Sequence, residues 1–483
     1  MGKKLILLEL NEVPYRVIDT YCRQRPRATL AKMLSVSKQY ETVTEDRLVL
    51  DPWVSWPTLH RGVNDEEHNI LHLGQVISET DEKFPPVWQL LKNQGLRVGV
   101  FGSLHSSSRP TDVREYSFYL PDYFDEVAFA HPAALTAFQE LNLSMSRQSA
   151  RNVTRKIPTS SALKFIAQAP MIGLKLSTLM DSVSHLVRET FDSSLRIRRR
   201  AYQPLVTMDL FLHQLNKTKP DFATFYTNHV AAAMHRYWGA AFPADYGDDR
   251  LDQAWIQKYG GEISFAMDKC DVMLAHLAKF INENPEYTLM VASSMGQAAI
   301  PAVKTYRFLT IVDISKFMAS LGVPGSGWEL RPAMAPCWCV VVREEYRDVF
   351  VSNIATLVID DETMKRDRRP IGHMSYDERD LGFFQLWIQF DSYAGPDTAS
   401  VARQSVDLAD LGLGFMAHED GVNCTAQHVP EGSLWLYGKD VSGGGISRRD
   451  AISTLDVAPS ILSFFGREKP RYMRGNSSIR LHS

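Results

Sequence analysis

Polar residues that could do chemistry follow five short apolar segments of this sequence. Each segment is rich in β-prone residues and ends at a polar or glycine-bearing turn. The segments are Lys4–Leu10, Leu96–Phe101, Phe222–Tyr226, Leu289–Ala292 and Leu434–Tyr437. The residues that follow them are Asn11 and Glu12, Gly102 and Ser103, Thr227 to His229, Ser293 to Gly296, and Gly438 and Lys439. If the segments are parallel strands, these groups collect at one edge of a sheet, where such proteins bind their ligands.

Familiar catalytic signatures are absent from the sequence. It contains no G-x-x-x-x-G-K-[ST] loop, no G-x-G-x-x-G after a strand, no H-E-x-x-H and no G-x-S-x-G. Its five cysteines are sparse and lack C-x-x-C spacing, which argues against a disulfide framework and a structural zinc knuckle. The chemistry must therefore come from residues that are distant in sequence and brought together by the fold.

The composition indicates an ordinary soluble globular protein. The chain has 483 residues, of which 45% are hydrophobic and 23% charged, and its net charge is -3. This near-neutral balance provides no general attraction for nucleic acid or for an acidic membrane. The N-terminal apolar segment is short and interrupted by Glu9, and Phe165–Leu174 is about half the length that spans a bilayer. We expect a cytoplasmic protein with a small-molecule substrate and no nucleic-acid or membrane partner.

The order of the elements predicts an α/β fold with a mostly parallel central sheet sandwiched by helices. Continuous apolar strands separated by helical stretches are typical of such sheets. We expect the core to comprise residues 1–103, 220–303 and 421–483, with a helical cap inserted at 104–219 and a second insertion or lid at 304–420. The cap shows helical periodicity without strand signals. Four arginines near its end, Arg196 and Arg198 to Arg200, form either a solvated helix face or a contact with an anionic substrate or partner.

Six places along the chain carry patterns that occur together in one superfamily. The first three are Leu5–Asn11, Val54 to Pro57 with the turn from Arg61 to Ile70, and Trp88–Phe101. The others are Asp221–Trp238, Val291–Gln297, and a C-terminal set made of Gln427–Gly432, Asp456–Leu462 and Gly466 to Gly475. In this order they resemble the alkaline phosphatase superfamily, in particular its type I phosphodiesterase and nucleotide pyrophosphatase branch. The resemblance implies that superfamily's fold for roughly half of the chain.

The resemblance also implies where metal ions would bind. Family members hold two ions, and the positions of one site here carry Asn11, Ser55, Ser294 and Met295, which offer a divalent ion too little charge. We expect that site to be empty. The other site keeps two histidines, His235 and His428, but Ala231 stands at the position of its aspartate. If His229 takes that role, the resemblance implies one zinc ion held by His229, His235 and His428, with a fourth position open.

Further roles follow from the same resemblance. Ser55 stands at the nucleophile position and would act as nucleophile or as a hydroxyl that positions an anion. A serine hydroxyl is a poor nucleophile without a metal or a base, so Glu9, Glu12 or His60 could assist it. Asn11 would donate a hydrogen bond to a non-bridging oxygen. The remaining candidate substrate-binding residues are Arg61, Asn228 and Ser294. Each histidine, and Ser55, could also be purely structural.

The leading hypothesis is a zinc-dependent hydrolase or transferase that acts on a phosphate-type or related anionic ester. Two alternatives stay open at this point. The chain could be a non-catalytic member of the fold that binds an anionic ligand or partner. It could also be a biosynthetic group transferase in which the helical cap brings an acceptor over Ser55 and excludes water. Because specificity lies in the insertions, the sequence does not identify the substrate.

Overall fold

The computed structural model describes residues 2–106, 112–125, 127–148, 159–247, 251–300, 308–331, 333, 337–367, 372–390, 393–416, 424–441, 443 and 449–481. The expected domain boundaries at residues 303 and 304 and at 420 and 421 lie outside these ranges.

The described ranges contain 21 strands. They are β1 (Lys4–Leu10), β2 (Lys38–Val43), β3 (Val98–Phe101), β4 (Phe118–Leu120), β5 (Phe222–Thr227), β6 (Tyr287–Ala292), β7 (Gly296–Ala299), β8 (Phe308–Ile311), β9 (Trp328–Arg331), β10 (Cys337–Val342), β11 (Val358–Ile359), β12 (Glu362–Thr363), β13 (Lys365–Arg366), β14 (Met374–Asp380), β15 (Phe383–Ile388), β16 (Thr398–Val401), β17 (Gln404–Asp407), β18 (Leu413–Met416), β19 (Ala426–Val429), β20 (Leu434–Tyr437) and β21 (Asp450–Ser453).

Helices alternate with the strands of the core and dominate the region between β4 and β5. They are α1 (Tyr15–Gln24), α2 (Thr29–Val36), α3 (Pro52–Arg61), α4 (Asp65–His68), α5 (Ser78–Lys83), α6 (Val87–Asn93), α7 (Thr136–Gln148), α8 (Thr159–Ile172), α9 (Leu176–Phe191), α10 (Arg199–Thr218), α11 (His229–Ala241), α12 (Gln253–Tyr259), α13 (Glu262–Glu283), α14 (Ile314–Ser320), α15 (Glu344–Ile354) and α16 (Val457–Phe464). None of the helices in the described ranges combines the length and the hydrophobicity needed to cross a membrane.

The centre of the molecule is an eight-stranded sheet with the order β21-β2-β20-β6-β1-β5-β3-β4. Strand β1 is parallel to both β5 and β6, β3 is parallel to β4 and β5, and β2 is parallel to β21. Only β20 runs against its two neighbours, β2 and β6. The predicted α/β class, with a mostly parallel sheet between helices, is confirmed.

Alternate residues of β1 explain the three-layer arrangement. Ile6, Leu8 and Leu10 point into a core shared with helices α1, α2, α10, α11 and α13. Leu5 and Leu7 point to the other face, into a core shared with α3, α6 and α16. Because side chains of a strand alternate between the two faces, a strand covered by helices on both sides must be apolar throughout. This is why β1 is a continuous apolar run in the sequence.

Two strands differ from the prediction. The run Leu434–Tyr437 is antiparallel to β6, so Gly438 and Lys439 lie at the edge opposite to the residues that follow β1, β5 and β6. Their expected place among the site residues is therefore wrong, because a four-residue apolar run carries no information about its direction. The short strand β4 also lies in a stretch that was expected to have none, and its three residues are too few to produce a periodic pattern.

The chain between β7 and β19 builds a separate core. A five-stranded sheet with the order β13-β14-β15-β10-β9 and a four-stranded sheet with the order β12-β11-β16-β17 pack with helices α14 and α15. The segments that the sequence marked as helix (Ile314–Leu321) and strand (Trp338–Val342 and Phe383–Phe390) correspond to α14, β10 and β15.

Candidate metal centre

The turn after β1 places Glu12 at the carboxyl edge of the central sheet. The Asn11 N–H donates to the Thr227 carbonyl at 3.1 Å, which ties this turn to the end of β5. Glu12 itself has a φ of 58°, in the left-handed region that residues with a Cβ rarely adopt and that costs about 1 kcal/mol or more. This backbone conformation turns the Glu12 carboxylate away from the line of β1, and its side chain is 3% exposed.

Two histidines from separate elements meet this carboxylate. His235 lies in the second turn of α11, the helix that directly follows β5. His428 lies on β19, opposite Gln297 of β7 in an antiparallel pair. The Glu12 Oε2 atom is 2.9 Å from Nε2 of His235 and 3.3 Å from Nε2 of His428. The two imidazole rings stand 5.0 Å apart at an angle of 71°. One carboxylate and two imidazoles thus converge from three parts of the chain.

Hydrogen bonds hold each of these groups in orientation. Asn11 Nδ2 donates to Glu12 Oε1 at 2.6 Å, and Gln297 Nε2 donates to Glu12 Oε2. His428 Nδ1 lies 3.0 Å from the carbonyl oxygen of Leu50. A carbonyl oxygen only accepts hydrogen bonds, so Nδ1 carries a proton and, in the neutral ring, the lone pair of Nε2 faces Glu12. This is the tautomer that a metal-binding histidine requires.

Electrostatics couple the three groups strongly. Burial favours the neutral form of Glu12, but the adjacent His428 and His235 outweigh it and hold the pKa of Glu12 well below its usual range. Burial opposes protonation of His235, yet the Glu12 carboxylate and the side chain of Cys424 raise the pKa of His235 to about 10. The pKa of His428 is also raised, because Glu12 outweighs the effect of burial. Without a metal ion, the Glu12 carboxylate therefore favours protonation of both imidazoles.

A half-buried aspartate, Asp51, interacts electrostatically with the cluster. Asp51 caps the N-terminus of α3 by accepting from the Trp53 N–H at 3.3 Å. Burial raises the pKa of Asp51 to about 7, and the charge of His428 acts in the opposite direction. The carboxyl group of Asp51 therefore titrates near neutrality within electrostatic reach of His428.

The donor set fits a divalent transition metal ion. Glu12, His235 and His428 each offer one ligand atom. Within the described ranges, these three atoms all lie within 4.8 Å of one another. Two ligands of one tetrahedral zinc ion lie roughly 3.4 Å apart, and the two distances from Glu12 Oε2 are close to that separation. Nε2 of His428 is buried and lacks a hydrogen bond of good geometry. The side chains of His235 and His428 are 27% and 21% exposed, so the cluster is partly accessible to solvent.

His229 is not part of this group, so the structure does not bring together the three histidines expected from the sequence. Its Nδ1 lies 2.7 Å from the hydroxyl oxygen of Thr227, and its Nε2 lies 3.2 Å from the carbonyl oxygen of Ala266. Burial lowers the pKa of His229 to about 4. His229 begins α11 and points towards α13, whereas His235 points towards the sheet edge. Glu12 lies where the third ligand was expected.

The residues expected at the vacant second site form a neutral network. Ser55 Oγ and Ser294 Oγ lie 2.8 Å apart, and Met295 is fully buried. Trp56 Nε1 donates to Asn11 Oδ1 at 2.7 Å, and Asn11 Nδ2 donates to Asn228 Oδ1 at 2.8 Å as well as to Glu12. Because both amide protons of Asn11 are used, it has no donor left for a substrate oxygen. The geometry makes Asn11 a positioning residue for Glu12.

Glu9 and Arg61 lie apart from the metal-ligand cluster. Glu9 points to the same side of β1 as Leu5 and Leu7, and its carboxylate lies 2.8 Å from His60 Nε2. Arg61 Nη2 donates to Asp81 at 2.6 Å, and its side chain is fully buried. Glu9 occupies the opposite face of the sheet and Arg61 the far end of α3, so neither residue is brought to Glu12.

The sequence does not predict Glu12 as a metal ligand or Gln297 as a contact of one. It predicts Glu12 at the sheet edge and as a possible base, but the resemblance puts the metal-binding position at residue 11. A signal was present, because Glu12 is the acidic residue that directly follows β1. Gln297 carries no such signal, since its role depends on the pairing of β7 with β19.

Comparisons with known proteins give a likeness in structure only. Neither a known family model nor a curated protein matches this chain. Among solved structures, murine ectonucleotide pyrophosphatase/phosphodiesterase 5 matches with a TM-score of 0.42 and 11% identity over 97% of this chain and 96% of that one. The human counterpart matches with a TM-score of 0.42 and 10% identity over 99% and 97% of the two chains.

Proposed function

We propose that this chain binds one zinc ion through Glu12, His235 and His428 and hydrolyses or transfers a phosphate-type or related anionic ester. The observation that carries the proposal is the convergence of these three ligands at the carboxyl edge of the central sheet. One position differs from the set inferred from the sequence, since Glu12 replaces His229. A glutamate with two histidines is an established ligand set of zinc hydrolases, in which the fourth position stays open.

The residues around the cluster prepare it for this role. Bound zinc would act as a Lewis acid towards an ester oxygen. Glu12 supplies the negative charge of the ligand set, and hydrogen bonds from Asn11 and Gln297 hold its two oxygens. The Leu50 carbonyl fixes the ring of His428. Residues that form hydrogen bonds to metal ligands in this way set the orientation of the ligands and the affinity of the site for the metal.

Ser55 is the proposed nucleophile or anion-positioning hydroxyl. It lies on α3 four residues after Asp51, and its partner Ser294 follows β6 at the same sheet edge as Glu12. Neither hydroxyl is a base, so Ser55 needs a proton acceptor or a cation nearby to become reactive. Glu9 is paired with His60 on the other side of β1, whereas Glu12 is itself a proposed zinc ligand and Asp51 interacts electrostatically with Glu12 and His428.

A non-catalytic role in binding an anionic ligand is the second candidate. The observation that favours it is the complete burial of Ser55 and Ser294, whose hydroxyls are hydrogen-bonded to each other. A nucleophile must reach its substrate, whereas a metal ion held by partly exposed histidines could bind an anion without the help of Ser55. The two candidates therefore share the metal centre and differ in turnover.

Ester turnover separates the candidates. The purified protein would be tested with nitrophenyl phosphate, a nitrophenyl phosphodiester and nitrophenyl sulfate, before and after removal and return of zinc. We expect turnover of a phosphate ester that chelation abolishes and zinc restores, with Glu12→Gln inactive and the exposed control Glu45→Gln unchanged. Turnover no higher than that of Glu12→Gln would favour the non-catalytic candidate. Products formed with added alcohols would distinguish transfer from hydrolysis.

A further inference from the structure

Helix α9 presents an apolar surface to solvent. Of the sixteen large apolar side chains that are exposed in the described ranges, eight lie between residues 163 and 191. Five of these, each between 50% and 88% exposed, form the α9 stripe: Leu176, Met180, Val183, Val187 and Phe191. At about 100° per residue, the five positions fall within roughly 80° of the helix circumference.

The polar side of α9 is the side that packs against the protein. Thr178, His185 and Glu189 are buried, and their positions lie opposite to the α9 stripe. The His185 ring stacks on the ring of Tyr202 at 4.3 Å, and Arg199 Nε donates to Glu189 Oε1 at 2.8 Å. A surface helix ordinarily turns its apolar stripe towards the core. The reversed orientation of α9 leaves that stripe free to contact another surface.

The α9 stripe is too long to be a chance group of surface residues. The helix has 16 residues, so the stripe extends for about 24 Å. Single exposed apolar residues are common on protein surfaces, whereas a continuous apolar patch marks an interaction site. The preceding helix α8 exposes three further apolar side chains, Leu163, Ile166 and Met171. The partner of this surface must therefore offer apolar contact.

The chain around α9 is basic. Residues 141–192 contain seven lysine and arginine residues against three aspartate and glutamate residues, whereas the whole chain has 53 against 56. Two of the three acidic residues are paired with cations. Asp181 lies 2.9 Å from Lys269, and Glu189 lies 2.6 Å from Arg199. Charge complementarity therefore favours an acidic partner.

We propose that α9 binds the surface of a membrane that contains acidic lipids, with the α9 stripe among the acyl chains and the surrounding basic residues at the headgroups. Helices that lie in the membrane interface combine these two features, an apolar face and neighbouring lysine and arginine residues. A second copy of this chain is a poorer partner, because it would bring two basic surfaces together.

The proposal concerns a part of the molecule outside the proposed zinc site. None of the residues of the α9 stripe is a proposed zinc ligand, so loss of zinc binding and loss of membrane binding are separate results. The expectation of no membrane partner came from the charge of the whole chain. The local charge around α9 replaces that expectation.

Co-sedimentation with lipid vesicles tests the proposal. The full chain is mixed with vesicles of phosphatidylcholine alone, or of equal parts phosphatidylcholine and phosphatidylserine. We expect binding to the acidic vesicles that is at least about 10-fold tighter than to the neutral ones and that weakens as salt is added. Phe191→Ser should weaken this binding by about 10- to 100-fold, the effect of one large apolar side chain. Leu381→Ser, at a leucine that is 82% exposed in the turn between β14 and β15, is the matched control and should bind as wild type does.

A second variant tests the contribution of charge. Arg188→Gln, at an exposed position of α9, should weaken binding to the acidic vesicles by about fivefold. Phe191 and Arg188 are both exposed, so circular dichroism should show wild-type folding in each variant.

Three results would overturn the proposal. They are no binding to acidic vesicles, equal binding to the two kinds of vesicle, and equal binding by wild type and Phe191→Ser. Light scattering distinguishes a second copy as the occupant. A wild-type dimer that Phe191→Ser dissociates, together with no vesicle binding, would assign the α9 stripe to self-association and also overturn the proposal.

Discussion

Two glutamates near the end of the first strand each contact a histidine, but their surroundings are opposite. Glu9 and His60 lie 2.8 Å apart with both side chains fully buried, and the ring of His60 packs between Trp56 and Trp88. Glu12 and His235 lie 2.9 Å apart, and the His235 side chain is 27% exposed. The first pair, the closed pair, is shielded from solvent. The Glu12 carboxylate of the second pair also contacts a further histidine.

The difference shows how backbone geometry decides what the same residue types do. Glu9 is part of an extended strand, so its side chain must point into the packed layer of α3 and α6. Glu12 lies three residues later in a left-handed turn, and its carboxylate emerges at the sheet edge. Either side chain of the closed pair can bind a new partner only if the core opens. A cluster with open histidines can accept an ion, so only the second arrangement suits ligand binding.

The largest expected effect concerns the closed pair. His60→Ala would leave the Glu9 carboxylate buried without its partner, which costs about 3–5 kcal/mol in the free energy of unfolding. His373→Ala is the matched control, because it removes a histidine from the exposed pair with Glu362, where about 1 kcal/mol or less is expected. Urea unfolding of the three proteins measures both values. If both variants lost similar amounts of unfolding free energy, the Glu9–His60 pair would be accessible to solvent and not buried.

Glu12→Gln should reduce activity while it leaves the fold intact. The change removes the anionic ligand but keeps the size of the side chain, so kcat/KM for the best phosphate ester should fall at least about 100-fold. The melting temperature should fall, because the two histidines lose the carboxylate that favours their protonated forms, so circular dichroism checks that the variant is folded. A kcat/KM within threefold of wild type would remove Glu12 from the proposed site.

The hydrogen bond that orients Glu12 should have a smaller effect. Gln297→Leu removes the amide that donates to Glu12 Oε2, and zinc affinity should drop by about 10-fold. Competition with a chromophoric chelator measures that affinity. Gln404→Leu, at an exposed position of β17, is the control and should retain the wild-type value. An unchanged affinity in Gln297→Leu would show that the orientation of Glu12 does not depend on this contact.

The last expected effect is negligible at pH 7 and grows in acid, and it concerns His105 near the closed pair. Burial, assisted by the charge of Arg61, lowers the pKa of His105 to about 3. In the unfolded chain the value is about 6.5, so the unfolded state binds a proton that the folded state does not. The stability present above pH 6.5 is therefore lost as the pH falls towards 3, by up to about 1.4 kcal/mol per pH unit. His105→Gln should flatten this slope in unfolding experiments, and an identical slope would contradict the assignment.

Much of the fold could be predicted from the sequence, because buried parallel strands leave continuous apolar runs. The run Lys4–Leu10 coincides with β1, and Phe222–Tyr226 lies within β5. The direction of β20 could not be predicted, since it depends on which neighbours the strand meets. The helical stretch Ala162–Phe191 is interrupted between α8 and α9, at a glycine with a positive φ, Gly173, that periodicity alone does not reveal.

The site was predicted less completely than the fold. Motif order predicts His235 and His428, which the structure brings together, whereas His229, inferred as a substitute for the missing aspartate, has a ring that faces α13. The direction in which a helical side chain points depends on its position relative to the first residue of the helix. If α11 began one residue earlier or later, a different histidine would face the sheet. The part played by Glu12 depends on a left-handed turn that no pattern of residue types specifies.

Zinc content per chain tests the central claim most directly. Wild type, His229→Asn and His428→Asn would be purified with zinc present, dialysed, and analysed by mass spectrometry for metal and by circular dichroism for folding. The account predicts about one zinc ion per chain in wild type and in His229→Asn, and none in His428→Asn. Zinc retained in folded His428→Asn, or lost from folded His229→Asn, would contradict the Glu12, His235 and His428 site.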